Sequence, residues 1–411
     1  MTNISFNQAY QLVTNTIVPL PEEAVPVDQS VGRTTSRDIV SSIDSPSADV
    51  SLKDGYAVVS TDLYRASPRD PVILDLIGTQ FAGTHTQLMV AEGKTIKVTS
   101  GAIIPAGADG VLSNEFAEES DNIVSAYATV GNNILRKGTD IAKGAVVVAR
   151  DTTLMPTHAG LIAAAGHATA PVYKQPFVTI IATGEEIVAV GKPVGEGKIA
   201  ASNLVTIAAW CNYFHLKNGT MVVPDSHEAL ETAINQTLPT SDCIVTSGGA
   251  WSSERDFAVR VFDSLGWEKK FHRVKIGPGK AVAFGLLRGK PIFCLPGGPP
   301  SNQMAFLQLA LPGIRLLEGH RPNTLPRIPA VLEAEVRGQR DWTQFEMGLL
   351  RRENGVFVFS PRKLPSRLQS LSNAHGIITI PEGTDTIEAG SKIDVQIIAY
   401  LPEILDADAP L

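Results

Sequence analysis

The strongest restriction on the fold of this chain is a unit that recurs three times between residues 177 and 306. An apolar, β-branched run stops at a Gly- or Pro-rich tight loop, and a helix-compatible stretch follows. The first unit runs Phe177-Val178-Thr179-Ile180-Ile181-Ala182 into Thr183-Gly184-Glu185-Glu186. The second runs Cys243-Ile244-Val245 into Thr246-Ser247-Gly248-Gly249, and the third runs Pro291-Ile292-Phe293-Cys294-Leu295 into Pro296-Gly297-Gly298-Pro299-Pro300-Ser301. Short, continuous apolar runs mark parallel strands buried on both faces. Open α/β sheets bind ligands at the carboxyl ends of such strands. Glycines there admit an anion to backbone N–H groups, and a following helix N-terminus adds a favourable dipole. This region is therefore expected to hold a phosphorylated small molecule.

The rest of the chain reads as separate domains, and 411 residues allow about two to four of them. Residues 5–20 suit an amphipathic helix, with Ala9, Leu12, Val13, Ile17 and Leu20 near one face. Residues 45–140 hold short strands (Tyr56–Val59, Pro71–Leu76, Thr95–Val98, Val111–Leu112) and no long helix, which predicts a small β-rich domain. Residues 155–170 read as helical. Pro312, Gly313, Pro322 and Pro326 punctuate the exit from the α/β region. Short strands at Ala330–Val336, Val356–Phe359, Gly376–Ile380 and Lys392–Ile398 then predict a compact β-barrel or sandwich. A net charge of −7 gives no support to nucleic-acid binding. No apolar run approaches the ~20 residues of a membrane span, and no signal peptide is indicated at the start. Cys211, Cys243 and Cys294 sit in apolar surroundings and read as free thiols of a reducing compartment, so the cytoplasm is expected.

Four acidic residues lie beside tight turns: Asp54, Asp140, Glu186 and Asp256. Such oxygen ligands suit Mg²⁺, which takes a few carboxylates plus water and ligand phosphate. Asp beside Gly is also ordinary turn chemistry, and for Asp54 and Asp140 alone that reading is preferred. Ser247-Gly248-Gly249 and Gly297 to Ser301 are candidate phosphate cradles, with Ser301 expected to cap a helix over Ser301–Leu311. Lys275 and Lys280 bracket Gly277-Pro278-Gly279 and suit an anion clamp, although most lysines merely solvate a surface. Arg362, Lys363 and Arg367 have two readings, facing an anionic ligand or forming a solvated face, and the solvated face is preferred. His272 and His375 read as structural or surface residues, and no Ser/His/Asp set can be assigned.

In this order and spacing the motifs resemble the molybdenum-inserting enzymes of molybdenum-cofactor synthesis, the MoeA and gephyrin E-domain family. Ser51-Leu52-Lys53-Asp54-Gly55-Tyr56-Ala57 is similar to that family's "SxMDGYA" signature. Thr99-Ser100-Gly101-Ala102 with Pro105, Gly107-Ala108-Asp109 and Glu115 is similar to its next stretch. Gly138-Thr139-Asp140-Ile141, Thr183-Gly184-Glu185-Glu186, Ser247-Gly248-Gly249 with Asp256, Pro278-Gly279-Lys280 and Leu295-Pro296-Gly297 continue the series, and Ala374-His375-Gly376-Ile377 ends it.

The resemblance implies a multidomain α/β plus β architecture. An elongated linking domain would take 1–27 and 141–175, with part of 40–53 belonging to it or to an inserted β-rich domain over 28–140. A MogA-like α/β domain with a parallel-rich sheet would take 176–326, and a C-terminal β-barrel 327–411. It also implies a homodimer whose active site combines the α/β domain of one subunit with the inserted domain of the other. Adenylylated molybdopterin and molybdate would be substrates, AMP a product and Mg²⁺ the cofactor, with a molybdoenzyme or a MogA-like protein as a possible partner. Asp54, Asp140, Glu186 and Asp256 would bind the metal or act near the scissile phosphoanhydride. Ser100, Thr183, Gly184, Ser247, Gly248, Gly249, Pro296, Gly297, Pro299 and Ser301 would hold the pterin phosphate or nucleotide, and Lys275 and Lys280 would bind anions.

Several positions depart from the pattern. Trp251 stands beside the second cradle, Gly298 replaces an asparagine, Met347 replaces an arginine two residues after Phe345, and Lys363-Leu364-Pro365-Ser366 replaces the usual "QGS". A binding protein without turnover, or a relative handling tungstate or another pterin nucleotide, are the alternative readings.

Overall fold

The computed structural model describes residues 3–248, 257–321, 323–362 and 365–399. The chain forms two compact units, Met1–Glu22 with Tyr173–Leu411, and Glu23–Val172.

In the first unit the apolar runs become the centre of a six-stranded sheet. Strand Phe177–Thr183 lies between Lys217–Val223 and Cys243–Ser247, and Lys290–Leu295 follows, all parallel. Ala283–Leu287 and Glu268–His272 complete the sheet antiparallel. Successive side chains point to opposite faces. Ile180 and Val245 join a core with Leu204, Ile207, Met304 and Phe306, whereas Ile181 and Ile244 join one with Leu230, Ile234, Val261 and Phe262. Helices Ser202–Tyr213 and Pro299–Ala305 thus cover one face, and His227–Thr237 with Phe257–Ser264 the other. Each large side chain so buried contributes about 1.5–3 kcal/mol.

The N-terminal helix is Phe6–Thr16, shorter than the 5–20 expected. Ser5 opens it with a capping box: the Gln8 N–H donates to Ser5 Oγ at 3.2 Å, and the Ser5 N–H to Gln8 Oε1 at 3.0 Å. Pro19 disfavours helical backbone at Val18, so the helix stops before it. Ala9 and Val13 enter the same core as Phe293 and Phe306.

The C-terminal part is a closed barrel of five strands, in the order Thr343–Glu353, Val356–Pro361, Arg327–Leu332, Lys392–Ile397 and Gly376–Ile380, with the last pairing back on the first. Leu332, Leu350, Phe359, Ile378 and Val395 fill it. Thr343–Glu353, its longest strand, is missing from the sequence expectation. Its Arg351-Arg352-Glu353 end and its Glu346 mask a strand buried on both faces, with Leu350 in the barrel core and Phe345, of opposite parity, in the core of the α/β sheet. Strand Val274–Gly277 ties the barrel to the α/β sheet, pairing in parallel with Ile4–Ser5 and with Thr343 and Gln344.

The second unit holds a six-stranded sheet ordered Gly110–Ser113, Gly55–Val58, Lys94–Val98, Val72–Gln80, Ile123–Ala126 and Ala117–Ser120. Tyr56, Val58, Leu74, Leu112 and Val124 form its core. A second core gathers Val27, Ile39, Leu154, Ile162 and Val172 under helix Pro156–Ala164. That helix ends at Gly166, whose φ is +88°. Thr169–Tyr173, expected within the helix as far as residue 170, is instead a strand paired with Glu22–Pro26. No helix among the described residues is long and apolar enough to cross a membrane.

Candidate functional site

The loops ending the three central strands of the α/β sheet meet. Gly248 has φ +101°, and a Cβ on it would stand 2.3 Å from the Thr183 carbonyl oxygen. Only glycine permits that approach. A Cβ on Gly297 would in turn meet the Gly248 Cα at 3.8 Å. The third loop is fixed by two amides. Asn302 donates from its Nδ2 to Ser247 Oγ at 3.0 Å and to the Pro296 carbonyl at 2.8 Å, and Asn203 donates to the Gly297 carbonyl at 2.7 Å. Neither asparagine stands out in the sequence, and the one available signal is position, directly after a strand-end loop at the start of a helix. The Thr183 and Thr246 hydroxyls are buried with no hydrogen-bond partner among the described residues. Two orphaned hydroxyls beside a glycine cradle fit a polar ligand.

Glu186 is exposed, and its carboxylate lies against Gly184: a Cβ on that glycine, at φ +151°, would stand 2.9 and 3.0 Å from the two carboxylate oxygens. The backbone then departs from expectation. Instead of entering a helix, it forms a short parallel ladder, Ile187–Val188 with Ile199–Ala200, before helix Ser202–Tyr213. Gly191, Gly195 and Gly197 with Pro193 disfavour an earlier helix. Ser301 is not the cap of its helix. The helix begins at Pro299, with Gly298 as a cap lacking a side-chain bond, because proline suits the first turn where no N–H is needed.

Turn Gly277–Lys280 abuts the same helix, since a Cβ on Gly279 would stand 3.5 Å from the Ser301 carbonyl oxygen. Lys275 pairs with Glu382 at 3.5 Å, and the Lys280 ammonium lies 5.1 Å from the Trp342 ring centroid. A cavity of about 430 Å³ opens here between Gly277, Pro278, Pro300 and Met304 on one side and Gln344, Met347, Arg362 and Arg367 of the barrel on the other. Both arginines, expected on a solvated face, are exposed yet line this space. Arg362 follows the Gly348–Pro361 pair of the antiparallel ladder, so it stands across from Met347, and its N–H donates to the Met347 carbonyl at 3.3 Å.

In the second unit, Asp54 and Ser100 are joined directly: the Ser100 N–H donates to the Asp54 carboxylate at 2.8 Å. Asp140 is exposed on a loop held by two other carboxylates. Asp49 accepts the Lys137 N–H at 2.8 Å and an Arg136 N–H at 2.6 Å, and Asp44 accepts the Lys143 N–H at 2.7 Å. The Lys137 and Lys143 backbone bonds, respectively, hold the Asp49 and Asp44 carboxyls below their usual range. Asp54 and Asp140 leave the antiparallel ladder Val50–Ser51/Ile134–Leu135 at opposite ends. Among the described residues there is no cluster of three or more His, Cys, Asp or Glu arranged to hold a metal. Gly249, Asp256 and Trp251 of the second loop, and Lys363 and Leu364, lie outside the described residues.

Three family models match in order: the MoeA N-terminal region (domain I and II) over residues 4–166, a probable molybdopterin binding domain over 179–316, and the MoeA C-terminal region (domain IV) over 329–398. The chain is 33% identical over 307 residues to the molybdopterin molybdenumtransferase of Haemophilus influenzae, covering 74% of each. It is 29% identical over 383 residues to molybdopterin molybdenumtransferase 2 of Mycobacterium tuberculosis, covering 90% of this chain and 94% of that one. The crystal structure of a molybdopterin-biosynthesis MoeA protein from Pyrococcus horikoshii superposes with a TM-score of 0.84 at 28% identity, over 97% of this chain and 100% of that one. From the N-terminal region to the barrel, the chain belongs to the MoeA family of molybdopterin-biosynthesis proteins.

Proposed function

We propose that this chain is a molybdopterin molybdenumtransferase, cleaving adenylylated molybdopterin, inserting molybdate and releasing AMP. The observation that carries the reading is the meeting of Thr183, Gly248 and Gly297 at the sheet edge, beside a cavity that holds two arginines. Phosphoryl cleavage asks mainly for positioning and charge neutralisation. In this reading the backbone of Gly248 and Gly297 binds phosphate, and Asn302 orients Ser247 towards it. Thr183 offers its hydroxyl, which has no hydrogen-bond partner among the described residues. Arg362 and Arg367 receive the oxyanion, while Met304, Met347 and Leu371 limit water in the same cavity. Arg362 thereby supplies, from the neighbouring strand, the cation that the family pattern places at 347.

Glu186 has the donor chemistry for Mg²⁺, which keeps most of its waters and needs only one or two carboxylates beside substrate phosphate. Bound there with Asp256, it would neutralise phosphate charge. Asp54, Asp140 and Ser100 are proposed as further polar groups of the reaction, with Lys275 and Lys280 as anion-binding groups, in a cytoplasmic homodimer. The apolar Met347 favours one second reading, a protein that binds the pterin without turning it over.

Incubation of the chain with adenylylated molybdopterin, Mg²⁺ and molybdate separates the two. Molybdate-dependent AMP release supports the transferase, and tight pterin binding without AMP supports the binding protein. Tungstate in place of molybdate measures oxyanion preference in the same assay.

A further inference from the structure

We infer that Trp342 is a positioning residue for Lys280, holding the ammonium of the turn that abuts helix Pro299–Ala305 without cancelling its charge. The inference rests on the reading of the strand-end cradle as an anion site. Two lysines flank the Gly277–Gly279 turn, and the barrel treats them differently. Lys275 faces a carboxylate, Glu382 at 3.5 Å, so its charge is compensated. Lys280 has no hydrogen-bonded or ion-paired side-chain partner among the described residues; its ammonium lies over the Trp342 indole, 5.1 Å from the ring centroid.

The distinction has a chemical consequence. A carboxylate takes up both the charge and the N–H donors of a lysine, lowering its attraction for a further anion. An aromatic face attracts the cation through its quadrupole and takes no hydrogen bond, so the ammonium donors remain for a phosphate or oxyanion. Lys280 is exposed on a flexible stem, and confining it in advance removes an ordering cost from ligand binding.

Both partners sit on fixed backbone. Ile276 and Gly277 pair with Thr343 and Gln344, directly after Trp342, and the Trp342 N–H donates to the Gln339 carbonyl at 2.8 Å. At the other end of the turn, the Val274 N–H donates to the Lys280 carbonyl at 3.0 Å. Trp342 therefore acts on the ligand through Lys280.

Calorimetric titration with inorganic pyrophosphate tests this in the full chain carrying Trp342→Leu, Trp342→Phe, Lys280→Met, or Trp342→Leu with Lys280→Met. Trp342→Leu is expected to weaken binding about three-fold, and Trp342→Phe less, because phenyl retains part of the attraction. The double variant should bind no more weakly than Lys280→Met alone. With adenylylated molybdopterin, KM should rise by the same factor in Trp342→Leu while kcat holds. Unchanged or tighter pyrophosphate binding in Trp342→Leu, additive losses in the double variant, or no pyrophosphate binding by the unmodified chain would each overturn the inference. The expected titrations without any AMP release would uphold it while removing the transferase reading.

Discussion

The buried side chain of Asn302 donates at once to the Ser247 hydroxyl, at 3.0 Å, and to the Pro296 carbonyl, at 2.8 Å, joining the loops of two neighbouring strands. Ser247 pairs with Leu295 in the parallel ladder, so the amide bridges the point where the two chains leave the sheet. Removing it strands a buried carbonyl and a hydroxyl. We predict that Asn302→Ala lowers stability by about 1–3 kcal/mol and raises KM for the pterin substrate. Urea unfolding beside steady-state kinetics checks both, and an unchanged midpoint would mean that the loops hold without the amide.

Gly248 is the tightest point of the cradle. Gly248→Ala must adopt φ +101° and place a methyl 2.3 Å from the Thr183 carbonyl oxygen, so the two loops have to separate. Strain of this kind costs about 1–3 kcal/mol. Substrate affinity is expected to fall at least ten-fold while the far-UV circular dichroism spectrum is retained. Wild-type affinity in Gly248→Ala would place the ligand elsewhere.

The Asp54 unit has its own pH limits. The Tyr56 hydroxyl donates to the Glu119 carboxylate at 2.6 Å, and Lys97 donates to the same oxygen at 2.8 Å. The Lys97 and Tyr56 bonds lower the Glu119 pKa below its ordinary 4.5, so this contribution is present above that value and lost as pH falls through the folded one. Burial and the Glu119 bond raise the Tyr56 pKa above its ordinary 10.0, so its contribution is full below pH 10.0 and lost on further alkalisation. Thermal melts should show Glu119→Gln flattening the acid limb below about pH 4.5. Identical acid limbs in the two proteins would rule the network out as its source.

Arg362 across from Met347 predicts an exchange. Arg362→Met is expected to raise the molybdate concentration needed for AMP release about ten-fold or more, the scale of losing one charged hydrogen bond. Adding Met347→Arg should restore part of it, because the guanidinium returns to the same cavity from the adjoining strand. Failure of the second change to restore any saturation would show that the two positions do not serve one subsite.

Much of this was legible in the sequence. Runs such as Phe177–Ala182 are short, β-branched and ended by a glycine turn, which selects a strand buried on both faces over a buried helix, and the glycines after them mark where backbone approaches backbone. Less was legible where alternation was mixed with charge. Glu268–His272, with the sequence EKKFH, forms an edge strand that only its antiparallel partner Ala283–Leu287 reveals. Ser301 resembled a cap, but the prolines at 299 and 300 start the helix earlier. Asn302, Asn203 and Trp342 matter because of partners distant in sequence, and a linear pattern does not carry such pairings. Arg362 and Arg367 read as a solvated face because exposure and cavity lining look alike without the barrel's neighbours.

Glu186 offers the sharpest test of the proposed chemistry, because its carboxylate lies on the Gly184 backbone beside the cradle yet stays exposed. Single-turnover AMP release from adenylylated molybdopterin, with molybdate and Mg²⁺ saturating, compares Glu186→Gln with the unmodified chain. We predict at least a hundred-fold slower release with pterin binding retained, the scale of losing an electrostatic contribution to a phosphoryl reaction. Equal rates in the two proteins would contradict the assignment of this strand-end site to the chemical step.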